Sequence, residues 1–506
     1  MKVWLFVGMK AFNLARYCLA ENARLHPHKI ALILATPQGE QRLTYTELDH
    51  AVRALAAGFA SLGLAKGSRV MIRRGNDLFY VLSFFAAIAA GFVALPSSAL
   101  LTAEEADFLA EDSGAALLIC SQGLAVSTGA RVVKDDELAR LAAFPPGDYA
   151  ATAAEDPAYL IYTSGTSSHP KGVLHAQRVI LGRAPMLDHW LGISENDVML
   201  HAGAINWTYT LGVGLMDPFA RGAASVLYAG PPDPGLWPLL IARYEATLFA
   251  TVPGIYRQML RQETFTRKNL ATLRHGLTAG EALPPALAAD FFERSGKPLY
   301  EALGMSEIST YISSGPTIFP RPGSPGKPQP GRRVVILPLE GGQEPLPAGE
   351  SGLLAVHRSD PGLMLRYWNR PEAEAEVFRC DYFVGGDVAE LDADGYVWLH
   401  GRADDIMNAG GYRVSPAEVE ACLSAAPGVA DVAVAERKVR ADVSVICAFI
   451  VPAVAAPDES ALRAHCEHHL AAYKQPKAYV FLDKLPHTKN GKIARRLLPE
   501  IGAGAA

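Results

Sequence analysis

Residues 158–173 read Ala158-Tyr-Leu-Ile-Tyr-Thr163-Ser164-Gly165-Thr166-Ser167-Ser168-His169-Pro-Lys171-Gly172-Val173. The opening apolar and aromatic run predicts a buried strand, and the hydroxyls and glycine that follow end it. Thr163, Ser164, Thr166 and Ser167 offer hydrogen-bond donors, Gly165 lets a ligand approach the backbone, and Lys171 adds a positive charge. Together they suit a polyphosphate. The spacing is not that of the Walker loop, Gly-x4-Gly-Lys-Ser/Thr. On composition alone, a polar surface turn fits this segment equally well.

Outward from this stretch, the apolar runs AALLIC (115–120), DVMLHAG (197–203) and ASVLYAG (224–230) alternate with helix-like segments. That is the pattern of parallel strands buried on both faces. The fold class is therefore α/β, with a large layered N-terminal domain expected over 1–403. Near residue 400 the texture changes to a strand, a turn, a strand and then a polar glycine-rich segment. A small α+β domain is expected over 404–506, opening with a helix at Ser415-Pro-Ala-Glu418 that carries a hydroxyl N-cap, an N1 proline and an N3 glutamate. Phe79–Leu95 is nearly long enough to span a bilayer, yet Gly91 and Pro96 divide it into a buried helix and a buried strand, so no membrane span is expected.

The chain has 506 residues, half of them apolar, and a formal charge of −5 from 47 basic and 52 acidic groups. This is a globular composition without the basic footprint of a nucleic-acid binder. Six cysteines, none in a Cys-x-x-Cys pair, indicate neither a zinc ribbon nor a disulfide framework, and a reducing cytoplasm fits. The cluster His465-Cys466-Glu-His468-His469 reads as a solvated helix rather than a metal site, and Asp392-Ala-Asp394-Gly395 as a plain turn.

YTSGTSSHPKGV resembles the signature of the acyl-CoA synthetase, adenylation-domain and luciferase superfamily. Further motifs follow in the family's order. Thr278-Ala-Gly280-Glu281-Ala-Leu-Pro284 resembles the adenine-pocket loop, and Leu303-Gly304-Met-Ser306-Glu307 the segment whose glutamate holds magnesium. Tyr382–Asp387 resembles the Thr-Gly-Asp element, Gly401-Arg402-Ala-Asp404-Asp405 the hinge, and Leu485–Lys492 the loop with the catalytic lysine. Six ordered matches over nearly the whole chain leave little room for coincidence.

The resemblance implies activation of a carboxylic acid by ATP to an acyl-AMP, then transfer to coenzyme A. It implies Lys492, Thr166 and Glu307 as catalytic residues, with Glu307 on Mg2+. Thr163, Ser164, Gly165, Lys171, Gly280, Glu281, Leu303, Gly304, Ser306, Asp387 and Arg402 would hold ATP and AMP. Trp207, Tyr209, Thr310 and Tyr311 would line the acyl pocket, although an aromatic stripe also suits a core. Asp404 would be the hinge of a mobile C-terminal domain, and Gly410 and Gly411 would pass the CoA arm. The implied partners are small molecules, the acid and CoA, with a homodimer left open. Leu303 stands where many relatives carry a tyrosine, and an aliphatic residue at this place resembles benzoate-CoA ligases, while Trp207 resembles a residue of medium-chain acyl-CoA synthetases. Two alternatives stand beside this reading: an adenylation enzyme that loads a carrier-protein phosphopantetheine, and a nucleotide-binding sensor without turnover.

Overall fold

A computed structural model describes residues 11–124, 129–163, 170–405, 407–409, 412–440, 443–453, 457–487 and 493–501. They form two compact units, one running to Arg333 and including His357–Tyr382, the other comprising Val334–Val356 and the chain from Phe383 onward.

The first unit is built on two large sheets. One has seven strands in the order Arg366–Tyr367, Lys171–Ala176, Pro157–Thr163, Val93–Ser98, Arg69–Arg74, Leu117–Cys120 and Arg131–Val133. The last five run parallel, and the first two add antiparallel at the edge. The other sheet has nine strands, with Leu299–Met305, His275–Ala279, Leu248–Thr251, Val198–His201, Ala224–Tyr228 and Ile30–Thr36 parallel at its centre. Leu117–Cys120 and Leu248–Thr251 are buried along their whole length, as strands covered on both faces must be. The segment that approached membrane-span length is the helix Leu78–Ala89, capped by the Asp77 carboxylate on the Tyr80 amide at 2.7 Å. After a left-handed turn at Gly91 it continues as the strand Val93–Ser98. Among the described residues, no helix is long and apolar enough to cross a membrane.

The second unit begins earlier than residue 404. Val334–Leu337, Gly352–His357, Tyr382–Leu391 and Val397–Arg402 belong to one sheet, in which the first two and the last two pair antiparallel, and 334–356 and 383–403 group with the C-terminal residues. Beyond it, Val429–Arg440, Val443–Pro452 and Ala478–Phe481 form a three-stranded sheet. Helices Pro416–Ser424 and Glu459–His469 close a core of Val419, Leu423, Val434, Ile446 and Leu462. The first of these helices starts where the sequence places it, but its cap differs: the Ser415 hydroxyl donates to the His400 carbonyl and makes no cap bond. The histidine-rich helix is only partly solvated, because Cys466 faces the core. Asp392 closes its turn by accepting the Asp394 and Tyr396 amides, both at 2.9 Å.

Candidate active site

The strands on either side of residues 164–169 pair antiparallel, with Thr163 opposite Lys171 and Tyr162 opposite Gly172. The loop's two ends therefore emerge side by side from one sheet edge. Ser164, Gly165, Thr166 and His169 lie outside the described residues. Gly172 is closely packed: a Cβ there would sit 3.1 Å from side-chain atoms of both Leu160 and Trp368, so these would have to give by a few tenths of an ångström. The Tyr162 hydroxyl donates to Asp112 at 2.6 Å, and Arg370 meets the other carboxylate oxygen at 2.7 Å. The Trp368 indole donates to the Asp112 carbonyl at 3.0 Å. Asp112 thus staples residues 368–370 to the strand that enters the loop.

Glu307 lies in the tight turn between strands Leu299–Met305 and Ser309–Ser313, whose pairing is irregular at Leu303/Gly304. The turn is crowded. Ser309 has a left-handed φ of 70°, and a Cβ on Gly304 would lie 2.4 Å from the Ser309 carbonyl. His175, on the strand that leaves the phosphate loop, bonds the Ser306 carbonyl through Nε2 at 2.8 Å. Its burial pushes the ring pKa down to about 4, so the imidazole is neutral at physiological pH and Nε2 carries the donated proton. The Tyr367 hydroxyl donates to Glu307 Oε1 at 2.8 Å, while Lys171 Nζ sits 5.5 Å above the centre of the same ring. Lys171 and Glu307, 136 positions apart in the sequence by 307 − 171, therefore meet around one tyrosine.

The strand His275–Ala279 ends at Gly280, where a φ of 93° turns the chain. Glu281 follows as an exposed residue. The loop is tied back by the Leu283 amide, which donates to Glu301 at 2.9 Å. Burial raises the Glu301 carboxyl to about 7. A Cβ on Gly280 would lie 3.8 Å from Trp207. Tyr209 packs edge-on to Trp207 and to the neutral, buried His201, with ring centres 6.1 and 4.5 Å away, and stacks on Trp190 at 6.0 Å. Thr310 donates to the Met186 sulfur at 2.8 Å, and Met186 belongs to the cluster against which Tyr209 packs. Tyr311 is fully buried beside Thr310. The Gly280 turn and the aromatic stripe are thus neighbours, and Tyr209 packs into the core beside them.

In the second unit, Asp387 and Arg402 stand opposite each other on paired strands and form an ion pair at 3.3 Å. Asp404 is in the single turn Ala403–Asp405. Gly410, Gly411 and Lys492 lie outside the described residues.

The sequence reading missed His175, Asp112 and Tyr367. His175 follows the phosphate motif by two residues, and Tyr367 opens a Tyr-Trp-Asn-Arg run, but only tertiary structure pairs them with Ser306 and Glu307.

A family model described as "AMP-binding enzyme" matches residues 19–368, and one described as "AMP-binding enzyme C-terminal domain" matches 418–492. The chain is 30% identical over 485 residues to a 3-hydroxybenzoate–CoA ligase of Aromatoleum sp. (strain CIB), covering 92% of each. It is 32% identical over 479 residues to a benzoate–CoA ligase of Thauera aromatica, covering 89% of each. The crystal structure of the anthranilate CoA ligase AuaEII in complex with anthranoyl-AMP superposes with a TM-score of 0.87 at 28% identity, covering 99% of this chain and 98% of that one.

Proposed function

The chain belongs to the AMP-binding enzyme family and is an AMP-forming acid–thiol ligase that uses ATP and coenzyme A, and from that premise we propose that its acid is aromatic, of the benzoate class, and that the residues named above carry the reaction. The observation that most supports the site is the meeting of Lys171 and Glu307 around Tyr367. A carboxylate that attacks the ATP α-phosphate meets repulsion between anions, so the site must supply positive charge where negative charge develops on the phosphoryl oxygens. Lys171, Thr163 and Thr166 would hold the departing pyrophosphate.

Glu307 offers a hard oxygen donor. No group of three or more histidine, cysteine or acidic side chains arranged to hold a metal exists among the described residues. Mg2+ commonly binds through one or two carboxylates plus substrate phosphates, so a single carboxylate at Glu307 suits it. When bound, Mg2+ would neutralise charge on the phosphates. Gly280, Glu281, Leu303, Gly304 and Ser306 would line the adenosine, and Asp387 would accept bonds from the ribose hydroxyls, with Arg402 beside it. Lys492 would contact the acyl carboxylate and α-phosphate during adenylation, Asp404 would be the hinge, and Gly410-Gly411 would admit the CoA arm.

The aromatic acid is supported by the rings around Tyr209 and by the relatives named for benzoate and 3-hydroxybenzoate. The test is pyrophosphate release with Mg-ATP across benzoates, phenyl- and cyclohexyl-substituted acids, and short to medium fatty acids. Benzoates are expected to turn over best; a clear preference for the fatty acids would overturn the aromatic assignment.

A further inference from the structure

Tyr367 is anchored three ways to the phosphate-loop strands. Arg366 and Tyr367 pair with Leu174 and Val173, the Trp368 amide donates to the Gly172 carbonyl at 2.7 Å, and Asp112 holds Trp368 and Arg370. From this fixed base the phenol reaches two groups of opposite charge. Its hydroxyl holds Glu307 Oε1, and its ring face carries the Lys171 ammonium, within the range of a cation–π contact. Lys171 and Glu307 lie against the same side chain, one over its ring face and the other at its hydroxyl, and no ion pair between the two is found among the described residues. Left to themselves, a lysine and a glutamate this near would close on each other, and each would then be occupied by the other rather than by a magnesium nucleotide.

Resting on the proposed role of Glu307, we infer that Tyr367 is a positioning residue for the metal-bearing carboxylate. Its hydroxyl fixes the rotation of Glu307 while its ring parks Lys171 apart from it. The phenol donates and one carboxylate oxygen accepts, which leaves the second oxygen of Glu307 for the metal. Outer hydrogen bonds of this kind orient ligating carboxylates elsewhere.

The test is Mn2+ binding, read by electron paramagnetic resonance in the presence of a non-hydrolysable ATP analogue, on the full chain and on Tyr367→Phe, Tyr367→Leu and Glu307→Gln. Metal-free binding of the analogue serves as the control for folding. Tyr367→Phe keeps the ring and is expected to weaken Mn2+ about 10-fold, the low end for outer-sphere partners, with metal-free binding unchanged. Tyr367→Leu is expected to weaken both, because Lys171 then closes on Glu307. Wild-type Mn2+ binding in Tyr367→Phe, alongside a weakened Glu307→Gln, would overturn the positioning role and leave the Glu307 assignment standing. Wild-type Mn2+ binding in Glu307→Gln would remove the metal role of Glu307 and this inference with it.

Discussion

Glu301 is 8% exposed, and its one described side-chain bond is from the Leu283 amide. Burial raises its carboxyl to about 7, so the folded chain holds a proton there that the unfolded chain has released. Stability from this group is full below the unfolded pKa of about 4 and falls as pH rises towards 7, by up to roughly 3 kcal/mol. Glu301→Gln keeps an oxygen for Leu283 and is expected to flatten that decline, checked by thermal unfolding between pH 4.5 and 8; an unchanged slope would mean another group titrates. Gly304 is the second sensitive position, since any Cβ there meets the Ser309 carbonyl. Gly304→Ala should displace the Glu307 turn and cut pyrophosphate release on the order of 100-fold, the cost of an ångström-scale misplacement. A variant with native turnover would show that the turn yields. Glu301 stood outside every motif, whereas Gly304 and Glu307 were legible in the sequence as motif members, because a glycine or a glutamate at a set spacing is a local requirement. The pKa of Glu301 was not, since it depends on the burial that a nine-stranded sheet provides.

Between elements, the helix Asp217–Arg221 and the Glu307 turn are joined through one buried arginine. Arg183 grips Asp217 with two bonds of 2.6 Å, and its remaining nitrogen donates to the Ser309 hydroxyl. The two side chains are 4% and 0% exposed, so neither charge reaches water alone. Arg183→Met strands the aspartate and should destabilise by about 3–5 kcal/mol, whereas Arg183→Met with Asp217→Leu should recover most of that loss. Urea unfolding of the single and double variants checks this; equal losses would mean that packing, not charge, dominates. Nothing in the sequence linked 183 to 217 and 309, nor His175 to Ser306 across 131 positions. Helix and strand positions were readable from periodicity, but the bonds that tie one element to another depend on which faces meet. The Ser415 hydroxyl shows the same limit at short range. It fits the capping pattern and bonds His400 instead, because a neighbouring strand supplies a nearer acceptor.

At the scale of the whole molecule, the alternation of apolar strands and helices was enough to read the layered α/β unit, because strands buried on both faces leave a continuous apolar trace. The extent of the second unit was less legible: its sheet draws in Val334–Val356, a hairpin far from the glycine-rich segment that marked the change in texture. If the proposed division of labour holds, the two half-reactions separate by mutation. Lys492→Ala should lower acyl-AMP formation by roughly 10²–10³-fold, as loss of one transition-state charge contact does, while retaining thioester formation from supplied acyl-AMP. Retention of the first half-reaction would remove Lys492 from the chemistry. The most direct measurement is mass spectrometry of the products from Mg-ATP, coenzyme A and benzoate or 3-hydroxybenzoate. An aroyl-CoA thioester with one AMP and one pyrophosphate per turnover is the expected result. Bound ATP with no AMP released, or AMP released with no CoA thioester for any acid, would contradict it.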